Sequence, residues 1–246
     1  MRGEKARSVS GNDVMIIVPV YNEEENLDRV GHDLSEFIKK ARFGYQVLFV
    51  NDGSSDRSQG MIEDLCEEHQ KFEYLELHRN LGLSAAIKAG IDYADTPFVG
   101  YIDSDLQTSP YDFDLLMDYA GDYDMVTGIR ANRKDSFVKN LSSKIANSIR
   151  RAVTHDGMED TGCPLKIIRS DYAKRIPFFN GMHRFLPALI QLQEGRVKQV
   201  PVTHYPRIAG EAKYHLWNRL IGPLFDLFGY RWMKKRYINY KIKSQG

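Results

Sequence analysis

The sequence contains few cysteines and no long apolar run. Cys66 and Cys163 are the only two cysteines among 246 residues, and they lie too far apart to form a metal-binding pair. Two isolated thiols are typical of a protein that works without disulfides in a reducing compartment. No run of about 18 apolar residues occurs, so we expect no membrane-spanning helix. The first dozen residues are polar and lack the apolar core of a secretory signal, which predicts a cytoplasmic protein.

Two common nucleotide-binding signatures are also absent. The chain has neither G-x-G-x-x-G nor G-x-x-x-x-G-K-S/T, so a Rossmann dinucleotide site and a P-loop are not expected. Basic and acidic residues nearly balance, at 34 against 33, and the excess of basic groups is confined to one end, which disfavours a nucleic-acid partner. The length fits one large α/β domain or a domain with an appendage.

Short apolar runs alternate with amphipathic segments in the first half of the chain. Strands are predicted at about 14–20, 47–50, 74–77, 98–102 and 124–128, because these runs are rich in β-branched and aromatic residues. Helices are predicted between them, at about 23–40, 57–69, 85–91 and 111–119. This alternation predicts βαβ units and a mostly parallel sheet flanked by helices.

Polar residues follow four of the predicted elements at the points where they end. The four clusters lie at residues 19–23, 51–54, 80–82 and 103–107. Taken singly, each is also explained by turn chemistry or helix capping. Ligands of open α/β sheets bind beyond the carboxyl ends of the strands, so the joint placement of the clusters favours a single site.

The last of these clusters contains two carboxylates and an amide. Asp103, Asp105 and Gln107 follow a buried run, and oxygen ligands at this spacing suit a hard divalent cation such as Mg²⁺ or Mn²⁺. Such a cation commonly accompanies phosphates. An Asp-capped turn before a helix near Pro110 is the alternative for this stretch considered alone. The three other clusters favour the metal site.

Four ordered motifs resemble those of the inverting GT-A-type glycosyltransferases, most closely the polyprenyl- and dolichol-phosphate sugar synthases. They are Val18-Pro-Val-Tyr-Asn-Glu23, Val50-Asn-Asp-Gly-Ser-Ser-Asp56, Arg79-Asn-Leu-Gly82 and Asp103-Ser-Asp-Leu-Gln107. The resemblance extends over about residues 14–214 and implies a Rossmann-like GT-A domain at 14–215. A flexible terminus at 1–13 and a C-terminal amphipathic helical extension at 216–246 complete the predicted organisation.

The resemblance also implies roles for individual residues. A UDP- or GDP-sugar would be bound by Pro19, Tyr21, Glu23, Asp52, Ser54, Gly82, Asp103, Ser104, Arg130, Lys139 and Ser143. The metal would be held by Asp103, Asp105 and Gln107, and the catalytic set would be Asp105, Asp160, Arg207 and Lys213. Asn51 stands where many members of the family have Asp, so the identity of the base stays open.

The second half of the chain contains three segments with an alternative structural explanation. Apolar residues recur every fourth position at 136–154 and predict a helix whose basic face is either solvated or in contact with phosphate or membrane. Asp160 precedes a Gly-Cys turn and is either an Asx-turn residue or, by resemblance, the group that orients or deprotonates the acceptor. The loop from Arg207 to Lys213 is either a surface loop or a lid over a diphosphate.

The end of the chain is aromatic and basic. Six basic residues and no acidic residue follow Tyr230, which is typical of an interfacial helix at an anionic membrane. A helix packed on the catalytic domain or on a partner subunit is the alternative, which leaves a homo-oligomer open. Pro223 and Gly229 predict two short helices in place of one.

The leading prediction is a metal-dependent inverting transferase. It moves a sugar from a nucleoside diphosphate to a polyprenyl (or dolichyl) phosphate, as a peripheral protein of the cytoplasmic membrane face. One alternative is transfer to a glycan hydroxyl, which requires a general base and makes Asp160 essential. The other is a non-catalytic nucleotide-sugar-binding protein, which the intact pair Asp103 and Asp105 disfavours.

Overall fold

The structure, a computed structural model, describes residues 13–130, 150–205, 216–240 and 243–244. The strands are β1 Val14–Val20, β2 Tyr45–Asn51, β3 Phe72–Glu76, β4 Phe98–Tyr101, β5 Met125–Arg130, β6 Lys166–Arg169 and β7 Val197–Val202. The helices are α1 Glu24–Lys40, α2 Ser58–Glu68, α3 Leu83–Tyr93, α4 Asp112–Met117, α5 Ser170–Lys174, α6 Leu186–Leu192 and α7 Leu216–Arg236, with a short 3₁₀ helix at Met182–Arg184.

The seven strands form one mixed sheet in the order β3-β2-β1-β4-β6-β5-β7. The pairs β1–β2, β1–β4, β2–β3 and β5–β7 are parallel, and β6 runs antiparallel to both its neighbours. The predicted mostly parallel sheet is therefore confirmed. Because β6 runs in reverse, its first residue, Lys166, lies beside Tyr101 at the end of β4.

The sheet is buried on both faces, as the continuous apolar runs predict. All seven residues of β1 are buried, and alternate side chains join different cores. Val18 belongs to the core that α1, α2 and α4 cover, whereas Ile17 belongs to the core that α3, α5, α6 and α7 cover. The two faces therefore carry different sets of helices and loops above the same strand ends.

The C-terminal segment differs from its prediction. One continuous helix, α7, replaces the two short helices expected from Pro223 and Gly229, so that prediction is wrong. A proline removes one backbone hydrogen bond and a glycine lowers helix propensity, but tertiary packing outweighs both costs. Leu227 and Tyr230 are buried against the domain, and the Tyr230 ring stacks on Phe185 at 5.7 Å between centroids.

Two other predictions fall partly or wholly outside the described residues. Of the predicted helix at 136–154, residues 150–154 are helical, and the remainder lies outside the described part. The predicted flexible terminus lies outside it as well, apart from Asp13. Within the described ranges, no helix combines the length and apolarity that crossing a membrane requires.

Candidate active site

The carboxyl ends of β1, β2 and β4 meet at one edge of the sheet. Val20 pairs with Asn51, and the backbone N–H of Asp52 donates to the Val20 carbonyl at 2.8 Å. On the other side of β1, the N–H of Ile102 donates to the Ile17 carbonyl at 3.2 Å. The residues that follow these strands are therefore neighbours, as the parallel register dictates.

Hydrogen bonds join the first two predicted clusters into one unit. Asn22 has a positive φ of 51°, its N–H donates to Ser54 Oγ at 2.9 Å, and its side-chain oxygen accepts from the Ser55 N–H at 2.8 Å. Asp56 accepts from the first N–H groups of both α1 and α2. Burial alone would raise the pKa of Asp56, but hydrogen bonds from Ser58 and Glu24 lower it. The ionised carboxylate thus fixes the two helix starts.

Asp52 attaches the third cluster to the second. Its two carboxylate oxygens each accept a backbone N–H at 2.8 Å, one from Leu81 and one from Gly82, and the side chain is buried. A side chain at Gly53 is excluded, because a Cβ there would lie 2.5 Å from the backbone of Arg79 and φ is +66°. Asp52, predicted to contact the nucleotide, therefore also positions the loop that contains Gly82.

The fourth cluster lies at the end of β4. The Tyr101 hydroxyl donates to the half-buried Asp103, while buried Asp105 accepts the Gln107 N–H at 3.2 Å. Arg29 of α1 donates to the Asp105 carbonyl at 2.6 Å. Burial, and after it the Asp105 carboxylate, raise the pKa of Asp103 to about 6. Two acidic groups are thus held at one point where ionising both is costly.

These residues fit a divalent cation. Burial and the Asp105 carboxylate raise the pKa of Asp103. A cation bound at this point would have the opposite effect and favour the charged form of Asp103. The described residues contain no group of three or more His, Cys, Asp or Glu side chains suited to a metal. Mg²⁺ is commonly bound by one or two carboxylates together with water and substrate phosphates, so Asp103 and Asp105 with Gln107 match that pattern.

Two basic side chains lie beside the acidic pair. Arg130, at the end of β5, donates to both oxygens of Asp160 at 2.8 and 2.9 Å, which is the bidentate geometry of a strong ion pair. Lys166 is buried, donates to the Cys163 carbonyl and lies 5.6 Å from the centre of the Tyr101 ring. Burial lowers the pKa of Lys166, and the negative charges of Asp160 and Asp103 offset only part of this shift. A bound diphosphate would favour the charged form of Lys166 and offer Arg130 a second anionic partner.

The remaining predicted residues divide into three groups. Pro19 and Ser104 are buried beside the strand ends. Tyr21 is 37% exposed, and Glu23 is half-buried. Lys139, Ser143, Arg207 and Lys213 lie outside the described residues. Sequence reasoning missed Lys166, Tyr101 and Arg29, which become site neighbours only through the antiparallel β6 and the packing of α1 on the sheet.

Solved structures of similar fold include several glycosyltransferases. Glucosyl-3-phosphoglycerate synthase from Mycobacterium tuberculosis, in complex with phosphoglyceric acid, matches with a TM-score of 0.69 at 12% identity, over 91% of this chain and 80% of that one. A mannosyltransferase from Pyrobaculum calidifontis, in complex with GDP-Man and Mn²⁺, matches with a TM-score of 0.62 at 17% identity, over 92% of this chain and 67% of that one.

A third match is mannosyl-3-phosphoglycerate synthase from Rubrobacter xylanophilus, with a TM-score of 0.66 at 15% identity, over 96% of this chain and 79% of that one. At these identities the likeness shows the fold, and it confirms the predicted GT-A-type architecture. The Mycobacterium enzyme was also solved with Mn²⁺ and UDP-glucose, and with Mg²⁺ and UDP, in agreement with the predicted divalent metal.

The sequence itself shows the family. The sequence profile described as "Glycosyl transferase family 2" matches residues 15–176, which is well over half of the chain and includes all four strand-end clusters. The matched range begins in β1 and ends just after α5, so it covers the acidic pair and the two neighbouring basic side chains, Arg130 and Lys166. The chain therefore belongs to glycosyl transferase family 2 and is a glycosyltransferase of the GT-A type.

Proposed function

We propose that this glycosyltransferase transfers a sugar from a UDP- or GDP-sugar to a polyprenyl phosphate, with inversion, at the cytoplasmic face of a membrane. The donor half of the proposal rests on one observation. Two carboxylates, Asp103 and Asp105, lie at the carboxyl edge of the sheet with Arg130 and Lys166 beside them. This arrangement suits a metal-bound diphosphate as the leaving group.

Each residue of the site has a distinct role in this proposal. Asp103 and Asp105, with Gln107, hold Mg²⁺ or Mn²⁺, which when bound supplies Lewis-acid stabilisation of the departing diphosphate. Arg130, oriented by Asp160, adds positive charge, and a bound diphosphate would favour the charged form of Lys166, whose pKa burial lowers. The resemblance-based predictions for Lys139, Ser143, Arg207 and Lys213 remain part of the proposal, as residues for phosphate contact and for closure over the donor.

The bonding of Asp160 favours a phosphate acceptor over a hydroxyl. Its two oxygens accept hydrogen bonds from the Arg130 guanidinium, and one accepts also from the Gly162 N–H at 3.0 Å. A carboxylate engaged in this way is a weak general base. A hydroxyl acceptor needs such a base, whereas a phosphate monoester, with a second pKa of about 6, is already largely ionised at neutral pH.

The outer face of α7 favours an acceptor in a membrane. Phe225, Phe228 and Trp232 are 71%, 70% and 64% exposed, at spacings that put them on one side of the helix. The inner side packs on the domain through Leu227 and Tyr230. Exposed basic residues flank the aromatic side chains, at Arg231, Lys235 and Arg236. Aromatic side chains with flanking cations match the interface of an anionic bilayer.

A second candidate function is transfer to the hydroxyl of a small phosphorylated acceptor. It is favoured by the similar fold of the Mycobacterium synthase, which was solved with phosphoglyceric acid. This candidate leaves the exposed aromatic face of α7 without a role. It also requires a base other than the paired Asp160, or a change in the pairing of that residue.

A panel assay separates the two candidates. The chain is incubated with UDP- and GDP-sugars, Mg²⁺ or Mn²⁺, and either a short polyprenyl phosphate, 3-phosphoglycerate or a glycan, and release of the nucleoside diphosphate is followed. We expect release that depends on both the metal and the polyprenyl phosphate, together with a sugar-labelled product that partitions into organic solvent. Release with phosphoglycerate or a glycan, and none with the lipid phosphate, would contradict the proposal.

A further inference from the structure

The 3₁₀ segment at Met182–Arg184 lies between the start of α3 and α7. The N–H of Gly181 donates to Ser84 Oγ at 3.0 Å, and Gly181 has a φ of +90° that favours glycine. Asp226 of α7 packs so closely on Gly181 that a Cβ there would lie 2.3 Å from its carboxylate, and it lies 3.7 Å from Arg184. The position of His183, inside this segment, is therefore fixed from two sides.

The hydrogen bonds of Ser84 favour one tautomer of His183. Ser84 Oγ already accepts from Gly181, and it lies 2.9 Å from His183 Nδ1. Within the described residues, the Gly181 N–H occupies one lone pair of Ser84 Oγ, and the hydroxyl hydrogen can donate to Nδ1; in that arrangement Nε2 carries the ring proton. Nε2 has no hydrogen-bond partner in that part of the chain. Burial, then Arg184 and Lys166, lower the pKa of His183 to about 3, so the ring is neutral.

His183 lies on the α3 side of the donor site. Ser84 is two residues beyond Gly82, which Asp52 holds at the sheet edge, and Lys166 is close enough to affect the pKa of both His183 and Asp103. Met182, next to His183, belongs to the core that α3 covers. The turns that start α1 and α2 lie over the opposite face of the sheet. The acidic pair at the end of β4 lies between these two sides.

We propose that His183 is a donor-sugar-binding residue, whose Nε2–H donates a hydrogen bond to a hydroxyl of the sugar being transferred. In the proposed function the nucleoside lies at the β1 and β2 turns and the diphosphate at Asp103 and Asp105. The sugar is then assigned to the α3 side, where a Cβ at Gly82 would lie 3.9 Å from Asn180 Oδ1 in the segment that leads to His183. A neutral N–H group suits a neutral hydroxyl, and the Ser84 bond holds the ring in the donating form. This inference rests on the nucleotide-sugar donor of the proposed function.

Equilibrium binding measures the contact without turnover. In the presence of Mn²⁺, we expect His183→Leu to weaken binding of the accepted nucleotide sugar by about 10-fold and to leave binding of its nucleoside diphosphate unchanged. His183→Gln should stay within about 3-fold of the native affinity, because its amide N–H can replace the Nε2–H. His32→Leu, at an exposed position of α1, is the matched control and should change neither affinity.

Nitrogen-15 NMR of the histidine rings tests the tautomer separately. We expect the Nε2–H form for His183 in the native chain, and a mixture of tautomers in Ser84→Ala. Equal weakening of nucleotide and nucleotide sugar in His183→Leu, or no weakening of either in a folded variant, would overturn the inference while the proposed function stands. Failure of the native chain to bind any nucleotide sugar would instead overturn the proposed function, and the inference with it.

Discussion

The donor edge of the sheet and the outer face of α7 are built in opposite ways. At the donor edge, polar side chains are buried and bonded to backbone groups, as Asp52 is to Leu81 and Gly82 at 2.8 Å. On α7, the large side chains of Phe228 and Trp232 are 70% and 64% exposed. The first region holds its groups in place by directional hydrogen bonds, whereas the second offers apolar area and charge without fixed geometry.

The difference matches the ligands that the two regions are proposed to bind. A diphosphate with its metal demands a defined set of oxygen positions, and directional bonds from surrounding backbone preserve them. A bilayer surface has no fixed positions, so buried area and the number of nearby cations determine the affinity. Substitutions should therefore act abruptly at the donor edge and in graded fashion on α7.

The largest effect is expected for Asp103→Asn. Loss of one of two carboxylate ligands should lower the transfer rate by about 10³-fold at saturating Mn²⁺, because the leaving diphosphate loses its stabilisation. The same change should stabilise the metal-free chain at pH 7.5 by up to about 2 kcal/mol. Its cause is the raised pKa of Asp103, about 6, which makes ionisation of this carboxyl costly in the folded state.

The pH dependence supplies the control for Asp103. A carboxyl with a raised folded pKa binds more protons in the folded than in the unfolded state between about pH 4 and 6, so stability falls as pH rises through this range. The advantage of Asp103→Asn should therefore be small near pH 4 and reach its full size above pH 6, in denaturant unfolding with EDTA. If the gain in the free energy of unfolding did not depend on pH, the raised pKa of Asp103 would not be its cause.

The second effect concerns the outer face of α7. Replacing Phe225, Phe228 and Trp232 together by Ser should weaken binding to vesicles of phosphatidylglycerol and phosphatidylcholine by about 100-fold, since each removed aromatic contributes about 1 kcal/mol of interfacial burial. Vesicle sedimentation measures the binding. Transfer to a water-soluble, short-chain acceptor phosphate should be unchanged, because these side chains point away from the domain.

Two comparisons define what this result means. Tyr74→Ser, at a residue of β3 that is 41% exposed, removes an aromatic from another surface and should leave vesicle binding unchanged. Vesicles of neutral phosphatidylcholine alone should bind the native chain more weakly than anionic ones. If the triple variant binds vesicles like the native chain but changes the sedimentation mass of the protein in solution, the face of α7 is an interface between subunits.

The predictable part of the molecule is the part governed by local pattern and parallel register. The runs at 14–20 and 47–50 predicted β1 and β2, and the rule that ligands bind at strand carboxyl ends predicted the convergence around Asp103. Lys166 was missed because β6 is only four residues long and antiparallel. Its place beside Tyr101 depends on strand order, which the sequence pattern does not determine.

The errors at the C-terminus have a different origin. Pro223 and Gly229 are local signals against a continuous helix, and they were outweighed by contacts between α7 and the domain, including the Phe185–Tyr230 stack. Composition alone correctly indicated an amphipathic helix. It did not indicate which side would be buried, because that side is defined by contacts with distant parts of the chain, such as Phe185 against Tyr230 and Gly181 against Asp226.

A moderate effect is expected for Asp160→Asn. Asn retains a hydrogen bond to Arg130 but loses the charge that orients the guanidinium, so transfer to polyprenyl phosphate should fall by about 10-fold with donor affinity nearly unchanged. A general-base role predicts a loss of about 10²- to 10⁴-fold instead. The double variant with Arg130→Gln should be no slower than Arg130→Gln alone, because the two residues act as one unit.

The smallest change in activity is expected for Asn51→Asp, which introduces the residue that the family resemblance implies at this position. Asn51 is fully buried, donates to Gln59 at 2.8 Å and accepts from the Ser54 N–H at 3.0 Å, so it stabilises the turn. A carboxylate would face the Gln59 oxygen and should lower the free energy of unfolding by about 1–3 kcal/mol. The ratio of activities with UDP- and GDP-sugars should change by less than about 3-fold, measured at a temperature where both proteins are folded. A reversal of that preference would mean that residue 51 contacts the base, and that this part of the donor edge recognises the ligand directly as well as supporting the turn.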